Sequence, residues 1–126
     1  KANEDICVPR TSIPGVLAEI KKIAAKYDVK VPVFAHLGDG NLHVNFMYDE
    51  ADADEKSRVE QGIKKLFQIA IGAGGTLSGE HGIGLTKSPY VELEYGNKEI
   101  GVMKKIKKLW DPDNLLNPGK IFVNQD

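Results

Sequence analysis

The sequence predicts an α+β fold: a ferredoxin-like antiparallel sheet with helices on one face, followed by a C-terminal helical tail. Three observations predict it. Apolar residues recur at helical spacing in two long stretches, the segments around them read as strands, and Asp39-Gly40 stands between two of those strands as a tight turn. The order helix, strand, strand, helix, strand is most of a split β-α-β pattern, and Asp5 to Val8 is the candidate for its missing first strand.

Each element has a local reason. Ser12 can cap a helix with Pro14 in its first turn, where a missing N–H costs little. Val16, Leu17, Ile20, Ile23, Ala24 and Tyr27 then form one apolar stripe. Val31 to Leu37 reads as a strand and Leu42 to Tyr48 as its return, joined by Asp39-Gly40 as a two-residue type I′ loop. Asp52 or Asp54 starts a second helix whose inward face is Val59, Ile63, Leu66, Phe67, Ala70 and Ile71, and Gly72 with Gly74-Gly75 ends it. Thr76 to Ser78 reads as a short further strand.

Beyond it, Ser88-Pro89 opens a short helix that Gly96 closes. Asn97 caps another, with Ile100, Met103, Ile106 and Trp110 inward. Pro112 and Pro118 punctuate an irregular tail ending in Ile121-Phe122-Val123. Residues 1–126 are expected to form one domain without repeats or a low-complexity linker.

Composition narrows the function. Seventeen basic against eighteen acidic residues leave a net charge of -1, which argues against a nucleic-acid partner held by phosphate neutralisation. The run Lys104-Lys105 with Lys107-Lys108 reads as the solvated side of an amphipathic helix. Cys7 is alone, so neither a disulfide framework nor a thiolate metal site is expected, and a reducing, cytoplasmic setting fits. No apolar run approaches the roughly 18 residues that span a bilayer. No secretory signal pattern opens the sequence, and Lys1 in place of Met is consistent with a fragment.

The hairpin carries the chemistry. With Asp39-Gly40 as the loop, His36 faces His43, and alternation puts Asn45 beside them. Val33, Ala35, Leu37, Leu42, Val44 and Phe46 then line the opposite, helix-covered face. Two imidazoles at that separation can grip one divalent ion and need a further ligand. The third histidine, His81, follows Glu80 in the glycine-flanked run Gly79 to Gly84, which can approach the hairpin closely. A set of two histidines and Glu80 leaves coordination positions open for substrate. The same run lacks the Lys-Ser/Thr of a P-loop and the spacing of a dinucleotide fingerprint.

Three segments occur in family order: His36-Leu37-Gly38-Asp39-Gly40-Asn41-Leu42-His43-Val44-Asn45, then Ser78-Gly79-Glu80-His81-Gly82-Ile83-Gly84, then Asp111-Pro112 through Leu116-Asn117-Pro118-Gly119-Lys120-Ile121-Phe122. Together they resemble the carboxy-terminal region of the FAD-linked oxidases, the group of the glycolate oxidase flavin subunit, D-lactate dehydrogenases and D-2-hydroxyglutarate dehydrogenase. Glu4-Asp5 and Val8-Pro9-Arg10 resemble the segment that enters the family's first helix here.

The resemblance implies a small D-2-hydroxy acid oxidised to its 2-oxo acid, with FAD held mainly by an amino-terminal domain outside these residues and a further electron acceptor. It implies His36, His43 and Glu80 as ligands of zinc or manganese, His81 as catalytic base, Asn45 as a substrate contact and Asn117 as a flavin contact. Lys87 matches a lysine after the Glu-His loop and reads as a surface residue. One departure stands out: family members can carry a lysine near the position of Asn3. On its own this chain is expected to turn over nothing.

Three other readings use the same residues: a non-enzymatic metal-binding module, a metal-dependent hydrolase in which Glu80 or His81 activates water, and a structural module whose histidines are ordinary polar residues.

Overall fold

The computed structural model describes residues 1–122. The chain divides into two compact units, Lys1–Gly82 and Ile83–Asp126. In the first, the order is β1 (Ala2–Cys7), α1 (Ile13–Tyr27), β2 (Val33–His36), β3 (Asn41–Phe46) and α2 (Ala53–Gly72). The sheet order is β1-β3-β2, with β3 antiparallel to both neighbours. This is the ferredoxin-like arrangement the sequence predicts, and the conditional first strand is present.

The expected strand over Thr76–Ser78 shrinks to one antiparallel bridge, Thr76 to Cys7 on the free edge of β1. The ladder stops there because the next N–H groups, those of Gly79, Glu80 and His81, turn to the Asp5 carboxylate instead.

Strand alternation builds the core. Ile6, Leu42, Val44 and Phe46 project to one side of the sheet and are fully buried, together with Leu66, Phe67 and Ala70 of α2. α1 contributes Ile13, Val16, Ile20 and Ile23 at helical spacing. Gly62 marks the closest approach: a Cβ there would stand 3.0 Å from Cε1 of Phe46 and 3.3 Å from Cγ2 of Ile23. The two helices and the central strand therefore meet at one point.

The caps settle the helix limits. Asp52 accepts hydrogen bonds from the N–H groups of Asp54 (2.9 Å) and Glu55 (3.0 Å), so it is Asp52 that starts α2. α1 ends on Asp28 in the left-handed region (φ 51°), and Arg58 Nε donates to the Tyr27 carbonyl at 2.9 Å. Ser12 precedes α1 without capping it, and its hydroxyl donates to the Ala73 carbonyl.

The hairpin differs from the two-residue loop the sequence suggests. His36 pairs with Asn41 and Phe34 with His43, so Leu37 to Gly40 form a four-residue loop. Its turn is closed by the Asp39 N–H on the His36 carbonyl at 3.0 Å. A type I′ turn needs positive φ at both central residues, and here Gly40 alone of the loop has it (φ 76°). Gly40 is instead committed to β1, its carbonyl accepting from the Val8 N–H at 3.0 Å. Leu37 consequently leaves the apolar face and is exposed. The register moves by two residues, so every other side chain keeps its expected face.

The second unit holds a 3-10 turn over Ser88–Leu93 and helix α3 (Asn97–Trp110). Gly96 occupies the cap position and Asn97 is the first helical residue, without a side-chain cap. Of the four residues expected inward, Ile100 is buried and Met103 half-buried, whereas Ile106 and Trp110 are 54% and 80% exposed. A unit this short encloses little apolar surface. Val123 lies outside the described residues. Among the described residues no helix is long and apolar enough to cross a membrane.

Asp111 organises the turn after α3. It accepts from Lys107 Nζ and from the N–H groups of Leu115 (2.8 Å) and Leu116 (2.9 Å). The hydrogen bond from Lys107 holds its carboxyl below the ordinary value of 3.8, against an opposing push from desolvation and with further help from the two backbone donors. A lowered folded value means the contribution to stability is present above that ordinary value and is lost as pH falls through the folded one. Asp111→Asn is expected to speed amide hydrogen exchange at Leu115 and Leu116 roughly tenfold at neutral pH. The difference from the parent should fade once the parent carboxyl is protonated; equal exchange at neutral pH would remove Asp111 from this role.

Candidate metal and catalytic site

The residues that converge at the hairpin belong to the first unit. β3, flanked by a strand on each side, presents His43 and Asn45 on the face opposite the helices. Edge strand β2 adds His36 and Phe34 to that face, and β1 adds Asn3 and Asp5, paired with Asn45 and His43. His36 lies diagonal to His43 rather than opposite it, and the ring centroids are 5.2 Å apart in an edge-on arrangement. A diagonal pair still lies within reach of side chains this long.

The loop after α2 delivers the rest. Thr76 is tied to β1 by its N–H on the Cys7 carbonyl at 2.8 Å, which carries the following residues across the polar face. Gly79 lies directly on Asn41, where a Cβ would fall 2.3 Å from Oδ1, so any larger residue must displace the Asn41 side chain. Glu80 then points at both hairpin histidines: its Oε1 is 2.9 Å from His43 Nε2 and 3.5 Å from His36 Nε2. One ligand atom from each of His36, His43 and Glu80 falls within 4.8 Å of the others. Two imidazole nitrogens and a carboxylate oxygen are the donor types that could hold a divalent ion, and three ligands would leave positions open.

The other expected residues divide. His81 is in place, its ring centroid 5.2 Å from that of His43. Asn45 is buried beside them, its Nδ2 donating to the His43 carbonyl at 3.3 Å and its Oδ1 accepting from Lys1 Nζ at 3.4 Å. Asn117 belongs to the second unit, where it adopts φ 49° and lines a groove of about 320 Å³ with Lys104, Lys108, Lys120 and Phe122. Lys87, expected at the surface, is 2% exposed.

Sequence reasoning missed Asp5. This carboxylate is fully buried. Its Oδ2 accepts from the N–H groups of Gly79 (2.9 Å), Glu80 (2.6 Å) and His81 (2.9 Å). The Ser78 hydroxyl donates to the same group, and Oδ1 lies 3.5 Å from His81 Nδ1. The signal that could have found it was alternation: with β1 accepted as a strand, Asp5 shares the face of Asn3 and Cys7, opposite the face of Ile6.

This fold and these motifs are those of a carboxy-terminal domain of FAD-linked oxidases. Residues 2–121 match the family described as FAD linked oxidases, C-terminal domain, and the chain belongs to it. It is 47% identical over 120 residues to the glycolate oxidase subunit GlcD of Bacillus subtilis (strain 168), covering 95% of this chain and 26% of that protein. A probable mitochondrial D-lactate dehydrogenase of Danio rerio is 40% identical over 118 residues, 94% of this chain and 24% of its own. The D-2-hydroxyglutarate dehydrogenase of Stutzerimonas stutzeri (strain A1501) is 38% identical over 123 residues, 94% of this chain and 26% of its own. The chain therefore spans about a quarter of the length of these relatives.

Proposed function

We propose that this chain is the substrate- and metal-binding part of an FAD-dependent dehydrogenase that oxidises a D-2-hydroxy acid of the glycolate or D-lactate class to the 2-oxo acid. The observation that carries the reading is the convergence of His36 and His43 on Glu80, with His81 alongside, in a member of the FAD-linked oxidases. The names of the relatives, each specifying a 2-hydroxy acid, support the substrate class.

His36, His43 and Glu80 would hold zinc or manganese, and a bound ion there supplies Lewis-acid pull on the substrate hydroxyl and carboxylate. The amino-terminal part of the full-length protein would hold FAD, with Asn117 as a contact from this chain, and a flavin there would supply the acceptor for the hydride of C2, with a further acceptor for the electrons. The residues of this chain do the rest. His81 accepts the hydroxyl proton as C2 loses its hydride, the role that suits a neutral imidazole near physiological pH. The Asn45 amide, on the same face, orients the substrate carboxylate. The cytoplasmic setting belongs to the same proposal and rests on the single thiol, Cys7; the name of the Danio rerio relative places that protein in mitochondria.

The test is anaerobic mixing of the full-length flavoprotein with glycolate or D-lactate, followed at the flavin absorbance band. The band should bleach with glycolate or D-lactate and not with L-lactate. His81→Gln should slow bleaching by about 10²- to 10⁴-fold with FAD still bound. An unchanged rate in that variant overturns the role of His81, and no bleaching with glycolate or any D-2-hydroxy acid overturns the function.

A further inference from the structure

We infer that Asp5 is the positioning residue of this site: its buried carboxylate fixes the Glu80-His81 loop over the hairpin and holds His81 with Nδ1 protonated and Nε2 bare. The inference rests on the functional reading above and adds a residue to it. Asp5 pairs with His43 across the β1–β3 ladder, so the residue that organises the loop is registered directly against one of the two hairpin histidines.

The geometry gives two separate grips. The first is on the backbone, where the N–H groups of Gly79, Glu80 and His81 converge on Oδ2 at 2.6 to 2.9 Å. Three successive N–H groups around one anionic oxygen form an anion nest, and the hydrogen bonds in it are charge-assisted. Such a nest dictates the direction of the Cα–Cβ bonds of the residues that form it, so Glu80 and His81 are aimed by the same carboxylate. The second grip is on the imidazole, with Nδ1 of His81 3.5 Å from Oδ1. A carboxylate at one ring nitrogen makes that nitrogen the protonated one and leaves the other as the lone-pair donor. The base nitrogen is therefore Nε2.

Asparagine in place of Asp5 keeps the size but loses the charge, and its NH₂ group faces either the backbone donors or Nδ1. In the full-length flavoprotein, Asp5→Asn is expected to retain FAD, to bind Zn²⁺ about 10- to 100-fold more weakly and to lower kcat by a similar factor. Its KM should change much less than its kcat. ¹⁵N spectra of histidine-labelled enzyme, with His81 assigned by its loss in His81→Gln, should show the Nδ1–H tautomer in the parent and a mixture in Asp5→Asn.

A folded Asp5→Asn protein with the parental tautomer and kcat overturns the inference. If that variant does not fold, the parental spectrum decides alone, since an Nε2–H tautomer there is incompatible with the claim. A parent with the Nδ1–H tautomer that oxidises no 2-hydroxy acid would leave the role of Asp5 standing and remove the proposed function instead.

Discussion

Replacing both His36 and His43 with alanine in the full-length flavoprotein is expected to strip the divalent ion and lower kcat/KM about a thousandfold, or ~4 kcal/mol of transition-state stabilisation. The two single variants should not be equal. His43 sits on the central strand, is 16% exposed and lies 2.9 Å from Glu80 Oε1, whereas His36 sits on the edge strand, is 57% exposed and lies 3.5 Å away. Loss of His43 removes the better-placed donor and leaves Glu80 without its nearest partner, so His43→Ala should approach the double variant and His36→Ala should fall short of it. Metal content by mass spectrometry and steady-state kinetics check both statements. A double variant that keeps its ion and its rate would return the three residues to an ordinary ion-paired cluster.

The second large effect is expected at Gly40. Its φ of 76° lies in the left-handed region, and a Cβ built there would stand 2.1 Å from the carbonyl oxygen of Val8. That oxygen is main chain and cannot rotate aside. Gly40→Ala must therefore separate the hairpin loop from β1 and open the Val8 N–H to Gly40 carbonyl bond at 3.0 Å. The left-handed backbone costs an L-residue ~1–2 kcal/mol. A buried polar pair left open costs ~1–3 kcal/mol more. A loss of about 3 kcal/mol in urea unfolding is expected. Gly38→Ala is the control in the same loop: nothing lies within 4 Å of its added Cβ, so a change near ~0.5 kcal/mol is expected there. Equal effects at the two glycines would show that the contact with Val8 does not fix the loop.

Much of this architecture was legible in the residues. The stripe from Val16 to Ile23 and the one from Val59 to Ala70 became α1 and α2 with the expected faces inward. The polar face of the hairpin was legible for a sturdier reason than its turn. The turn type was misread, because Asp39-Gly40 looks like a two-residue loop and only the contact between Gly40 and Val8 shows otherwise. The face survived since a shift of two residues preserves strand parity. Contacts distant in sequence were the part that local pattern does not encode. The bonds from Gly79, Glu80 and His81 to Asp5 span 74 to 76 residues, and they both end the sheet at Thr76 and create the anchor of the loop. Trp110 and Ile106 follow the helical period faithfully and still end up exposed, because periodicity states which residues share a side and not what lies against it.

The placement of the two hairpin imidazoles on unequal strands makes the cluster a vice with one stationary jaw. His43 is clamped between flanking ladders, while His36 rides on a border whose outer rim has no ladder partner among the described residues. An ion held by such a grip would meet solvent on the side of His36, the more exposed of the two imidazoles. On the proposed metal reading, the speed of ion exchange is expected to follow the edge strand β2 and the final geometry the central strand β3.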